Sequence, residues 1–385
     1  MTAAERIRVG DVLRLERRQV QVDPEAQYEE IGLRSFGRGT FHKEPVDGVT
    51  LGDKRVFQIE SGDLLISNVF GWEGAIAVAS DADAGKIGSH RFMTFVPRNG
   101  RVDTSWAAWY FRSESGLELI RRASPGSAGR NRTLAVKRFE DLVISVPPIE
   151  EQAQQAAYLA DVSGEARATL AALTARGPAS VVTMLPPLVD EIVGRPSTGC
   201  AAVADLVDLV SDIVHPGDSL GQAETFVGLQ HVERHTGRRF GADAVDGIEG
   251  RKFRFRPGDV IYGYLRPYLN KIWVADRHGL CSVDQYVLRP RASTDADILA
   301  HILRGQAMLD QAIELTHSLQ LPRLRSGLLM SLQVPVIPGP EANQVAEKLN
   351  RVRDLVVDIA AARQDQVRTV GALTPAALNR VFGSR

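Results

Sequence analysis

The stretch from Arg121 to Arg138, RRASPGSAGRNRTLAVKR, contains Arg121, Arg122, Arg130, Arg132, Lys137 and Arg138 and no acidic residue. A cationic loop rich in Gly and Ser suits contact with phosphate. Gly126 and Gly129 let the backbone approach a ligand closely, and the Ser127 and Thr133 hydroxyls can donate to phosphate oxygens. Arg130, Asn131 and Arg132 are of the types that read base edges with paired hydrogen bonds. The plain alternative is an exposed loop with a chance excess of arginine. Further on, Arg251 to Arg256, RKFRFR, alternates charge with Phe253 and Phe255, the period-two pattern of a half-buried strand with a basic outer face.

The familiar motifs of bond-breaking chemistry are missing from the sequence. It holds no Walker A motif, no G-x-G-x-x-G, no G-x-S-x-G and no H-E-x-x-H. His231-Val-Glu-Arg-His235 spaces two histidines as a helix would, but their order is wrong for a zinc protease and the flanks suggest a loop, so it reads as solvated surface. No amino-methyltransferase N/D-P-P-Y/F motif and no nuclease cluster of carboxylates and lysine can be defined. Cys200 and Cys281 each stand alone, which indicates neither a disulfide framework nor a zinc site. We therefore expect no catalytic and no metal-binding residues.

The elements that must hold such a loop are written twice. FQIESGDLLISNVFGWEGAIAVA, from Phe57 to Ala79, aligns without a gap on FRFRPGDVIYGYLRPYLNKIWVA, from Phe253 to Ala275. SHRFMTFVP then meets SVDQYVLRP, and MLPPLVDEIVG, ending at Gly194, meets LTPAALNRVFG, ending at Gly383. A period of about 190 residues is a duplicated domain; solenoid repeats run ~20 to 50. Short apolar runs bounded by Gly, Pro and Asp predict strand-rich α+β bodies, with helices at Trp106 to Arg122 and near Asp297 to Glu314. In the second unit the basic loop is replaced by THSLQLPRLRSG, which offers Gln320, Arg323 and Arg325. Asn68, Tyr264 and Arg266, on the segments after the GD turns, are further candidates for a groove-facing surface.

After each body comes a helical arm. Ile149, Leu159, Leu170 and Leu173 lie on an a/d heptad seam in the first, and Leu349, Val352, Val356 and Ile359 on one in the second. Heptad seams ask for a partner helix, and two arms paired antiparallel would hold the bodies roughly 40 to 50 Å apart. Ordinary amphipathic helices packed on their own domains are the alternative. The expected boundaries are 1–148 and 196–338 for the bodies, with arms at 149–195 and 339–385. A hydrophobic content of 44% is that of a soluble protein, no run approaches ~20 apolar residues, and the N-terminus lacks a secretory signal, so we expect a cytoplasmic protein. The formal net charge of −1 does not announce a nucleic-acid binder.

GDLLISN, SHRFMTFVP and GSAGRNRTLAVKRFEDLVISVPPIEEQ followed by a heptad helix, repeated once, resemble the target-recognition unit of type I restriction-modification specificity subunits. The resemblance runs from Arg8 to Gly383. It implies that each unit reads half of a split site on double-stranded DNA; from their chemistry we expect Asn68, Ser127, Arg130, Asn131, Arg132 and Lys137 to contact it in the first unit and Tyr264, Arg266, Gln320, Arg323 and Arg325 in the second. It also implies that the paired helices act as a ruler and dock methyltransferase subunits, two being expected, and that restriction-translocase subunits join them. S-adenosylmethionine, ATP and magnesium would then belong to those partners, and this chain would be non-catalytic. The sequence departs from the pattern in its second unit, where VPVIPGPEANQ replaces VPPIEEQ. The competing expectation is a duplicated protein-binding scaffold of a related defence complex that does not read DNA.

Overall fold

Gly62 and Gly258 stand just before the central strand of each body, and both take a left-handed backbone, with φ of 85° and 83°, which a side chain would resist. The aspartate that follows is buried and turns back on its own loop. Asp63 accepts from the Glu60 N–H and Asp259 from the Arg256 N–H, each at 2.9 Å. An arginine grips each carboxylate, Arg18 at 2.7 Å from Asp63 and Arg289 at 2.9 Å from Asp259. The turn releases the chain into Leu64–Ser67 in one body and Val260–Gly263 in the other, strands buried at every position.

The computed structural model describes residues 4–126, 132–175, 177–194, 197–245, 249–317 and 320–383. Two units emerge, one formed by Met1–Ala171 with Arg368–Arg385, the other by Ala172–Val367. Each carries the same antiparallel four-stranded sheet. In the first its order is Ile76–Val78, Leu64–Ser67, Phe92–Pro97 and Leu13–Glu16, with Leu64 opposite both Val78 and Phe95. In the second it is Ile272–Val274, Val260–Gly263, Gln285–Pro290 and Val207–Val210, with Val260 opposite both Val274 and Leu288. The register of the first two strands agrees residue by residue with the gapless alignment of Phe57–Ala79 on Phe253–Ala275. The basic stretch RKFRFR forms the strand Lys252–Phe255, with Phe255 buried and Arg254 turned to Asp212, as its alternation predicts.

Each sheet is backed by a pair of helices, where single helices were expected. Thr104–Arg112 and Glu114–Ala123 break at Ser113, and Ala296–Arg304 and Gln306–Glu314 break at Gly305. Capping explains both ends: Asp103 accepts from the Trp106 N–H, Asp295 from the Ile298 N–H, and the Ser113 hydroxyl from the Gly116 N–H. Trp106, Phe95, Phe111 and Phe139 fill the core of the first body, with the Phe139 ring 4.8 Å from Phe95 and 5.0 Å from Phe111.

The arms are long helices, Ile149–Ala175 of 27 residues and Gly339–Phe382 of 44. Beyond Ala175 the first arm continues as the separate helices Pro178–Val182 and Leu185–Gly194, because Gly177, Pro178, Pro186 and Pro187 interrupt it. The seam residues have divided roles. Leu159 is buried, Leu170 and Leu173 are half-buried, and Ile149 is exposed. Leu349 and Val356 are buried in the core of the second body with Val352 packed beside them, while Ile359 is 46% exposed. The end of each repeat packs on a helix pair: Asp190 accepts the Ala307 N–H at 2.7 Å in the second unit, and Phe382 sets its ring 5.9 Å from Trp106 and 5.5 Å from Tyr110 in the first. Among the described residues no helix is long and apolar enough to cross a membrane.

Candidate nucleic-acid interface

The residue that follows Leu64–Ser67 in one body and Val260–Gly263 in the other anchors the segment in which the two repeats differ. In the first unit the Asn68 carbonyl accepts the Leu134 N–H at 2.8 Å, and Leu134 plugs the loop into the core. In the second the Tyr264 carbonyl accepts the Leu324 N–H at 3.1 Å, and Leu324 is fully buried. The N–H groups of the same two residues donate to Arg91 at 2.9 Å and to Asp284 at 3.1 Å. One backbone frame therefore presents different side chains twice, a cation at Arg91 and a carboxylate at Asp284.

Ser127, Arg130 and Asn131 lie outside the described residues. Arg132 does lie against the body, its guanidinium 5.5 Å from the centre of the Trp72 ring, while the Trp72 indole N–H donates to Val69 at 2.9 Å. Lys137 is exposed on the short helix Val136–Glu140. The structure thus places Asn68 against Leu134 and Arg132 against Trp72.

In the second unit Arg266 holds a left-handed backbone, φ 53°, and its N–H donates to Pro322 at 2.8 Å. Leu265 bridges to Arg323, whose guanidinium lies 4.0 Å from Asp284. Gln320 and Arg325 are exposed on the same segment. Tyr264 has its ring stacked 4.3 Å from Tyr286 and its hydroxyl donated to Val283, so its side chain braces the loop. Burial, helped by the nearby Asp284, raises its pKa above the usual phenol value.

Sequence reasoning missed a cleft of about 430 Å³ on the first body, beside Ser67 and Phe70. Lys54, Arg55, His90 and Arg91 line it, with Glu30 paired to Lys43 at 2.9 Å. Their contributing segments are far apart in sequence, so no single stretch announces them. The paired histidines are another correction. His235 is not solvated but buried, in a left-handed backbone with φ of 65°, and burial together with Arg234 depresses its pKa to about 4. His231 Nδ1 accepts the Gly228 N–H at 3.1 Å and its Nε2 faces Asp243 at 3.4 Å. No cluster of three metal-ligating side chains occurs among the described residues.

No protein-family model matches the chain. Over 154 residues it is 27% identical to the type I restriction enzyme EcoDI specificity subunit of Escherichia coli, which is 40% of this chain and 34% of that one. The match therefore spans about a third of the length of that relative. A chain solved in a structural study of complex assembly and conformational transition of the type I R-M system superposes with a TM-score of 0.77 at 17% identity, covering 99% of this chain and 98% of that one. The chain has the fold of a type I restriction-modification specificity subunit. The HsdS subunit from Thermoanaerobacter tengcongensis agrees, with a TM-score of 0.64 at 17% identity over 100% of this chain and 97% of that one. The departure VPVIPGPEANQ leaves the specificity-subunit fold intact, since Gln333–Val336 still pairs with Gly199–Ala202 and the long helix still starts at Gly339.

Proposed function

We propose that this chain is the non-catalytic, DNA-reading subunit of a type I restriction-modification complex. The observation that carries the reading is the duplicated frame: Asn68 with Leu134 and Tyr264 with Leu324 hold equivalent loops whose polar side chains differ. A reader of a split site needs the same platform twice with different chemistry on each. Arg132, Lys137 and the loop from Ser127 to Asn131 would contact one half, and Gln320, Arg323 and Arg325, with Arg266 nearby, the other. The arms would dock methyltransferase subunits, to which restriction-translocase subunits add. S-adenosylmethionine, ATP and magnesium would serve those partners in the cytoplasm.

The test is selection of bound sequences from a random duplex library by the chain co-expressed with its methyltransferase, at two salt concentrations. A split motif with a fixed gap, bound more weakly at high salt, is expected. Arg132→Ala should cost about 1 to 3 kcal/mol and relax one position of one half, whereas Lys137→Ala should weaken all sequences alike and reduce the salt slope by about one. The formal net charge of −1 favours a second reading, a duplicated protein-binding scaffold. That reading wins if the complex copurifies yet enriches no sequence.

A further inference from the structure

A cavity of about 610 Å³ opens in the first unit, where the helix pair of the body meets the arm helix Ile149–Ala175 and the last turns of Gly339–Phe382. Its walls are largely apolar, including Leu117, Leu170, Val370 and Leu378. Three guanidinium groups also line it, those of Arg38, Arg112 and Arg167, against one carboxylate, Glu73, which already accepts the Ser35 hydroxyl at 2.9 Å.

Arg112 is the last residue of its helix. Its guanidinium lies 3.8 Å from the centre of the Trp109 ring, Nε donates to Ala108 at 3.0 Å and Nη1 to Gly37 at 3.4 Å. Among the described residues neither Arg112 nor Arg167 has an ion-pair partner. Burial, with Arg167 adding to it, pulls the Arg112 pKa down to about 10, so the group stays charged at neutral pH. The equivalent residue of the second unit, Arg304, is wholly buried and donates Nη1 to Ile272 at 2.7 Å. A charge taken from water without a counter-ion is costly, and an incoming carboxylate would relieve that cost at Arg112.

The apolar surface does not stop at the cavity. Phe36, on its lining, is 73% exposed in a left-handed backbone with φ of 61°, and Leu373, beside Thr374 on the long helix, is 45% exposed. A free metabolite filling the cavity would leave both in water; a polypeptide lying across it would cover them.

We propose that this cavity seats an acidic, apolar-anchored segment of a partner polypeptide, its carboxylate held between Arg112 and Arg167 and its apolar side chain against Leu170 and Leu378. The inference rests on the reading that the chain works in a complex with a methyltransferase subunit, and that subunit is the probe. Arg167 is exposed, so Arg167→Glu leaves the core untouched; it should weaken the complex at least tenfold, with Arg167→Lys recovering most of the loss. In a Cys200→Ser background, Thr374→Cys should react with a maleimide in the free chain and be protected in the complex. Wild-type affinity in Arg167→Glu, or equal reactivity of Thr374→Cys with and without the methyltransferase, overturns the cavity as the seat while leaving the complex standing. If the unaltered chain does not bind the methyltransferase at all, the reading beneath it falls too.

Discussion

Asp259→Ala should lower the unfolding free energy of the second unit by about 3 kcal/mol, at the low end of the cost of breaking a buried ion pair. Two losses add. The Arg256 N–H loses its acceptor, which undoes the turn that launches the central strand, and Arg289 loses a two-pronged partner bonded through Nε and Nη2, each at 2.9 Å. Arg289 keeps 29% of its side chain in water, so the stranded cation is partly hydrated and the larger figures for sealed pairs do not apply. Asp63→Ala in the first unit should cost less, about 2 kcal/mol, because Arg18 retains Glu60 at 3.1 Å as a second partner. Urea unfolding separates the two, since Trp273 is the sole tryptophan of the second unit while Trp72, Trp106 and Trp109 report the first. A loss under about 0.5 kcal/mol for Asp259→Ala would mean the pair behaves as a solvated surface bridge.

The second large effect is a loss of stability of the second unit on mild acidification. His301 is 1% exposed, bonded through Nε2 to the Asn350 side chain at 3.0 Å, and burial followed by repulsion from Arg304 lowers its pKa to about 3. The unfolded chain binds the proton near the ordinary value of 6.5, so it takes up protons first and stability rises with pH. The contribution is fully present above pH 6.5 and is lost as pH falls toward the folded value. Between pH 7 and pH 5 the loss from His301 is about 2 kcal/mol, and His235, depressed to about 4, adds a comparable amount. The urea midpoint followed at Trp273 should fall over that range, and His301→Gln should flatten the slope. An unchanged midpoint in the unaltered chain would show that His301 is not buried neutral.

The duplicated sheet was readable before any coordinates because its determinants are local. A left-handed Gly followed by a buried Asp leaves a two-letter mark, and apolar runs four residues long follow at the same distance in both repeats. The variable loops were harder. Leu134 and Leu324 occupy one structural place at different distances from their anchors, so a gapless comparison cannot find them, and Arg91 and Asp284 share a backbone role with no chemistry in common. A heptad pattern states which face of a helix is apolar but not what covers it, which is why Leu349 and Val356 could be read as a helix seam although they join the core of a body. The break at Ser113 was hidden because its flanks, Thr104–Arg112 and Glu114–Ala123, are both good helix formers and only the cap separates them. His235 shows the same limit, since nothing in its neighbours reveals that a polar side chain is enclosed.

Phe382 lies against Trp106 and Tyr110 although 196 residues of the other unit separate the two parts of the first, Met1–Ala171 and Arg368–Arg385. On the ribosome this order imposes a wait. The helix pair of the first body emerges early, but its aromatic face stays bare until the whole second unit has been made, roughly 10 to 40 s later at ordinary rates of synthesis. Over that interval the nascent chain carries a sticky surface that its own later segment must reach before another molecule does, which makes yield sensitive to translation speed and to chaperone supply.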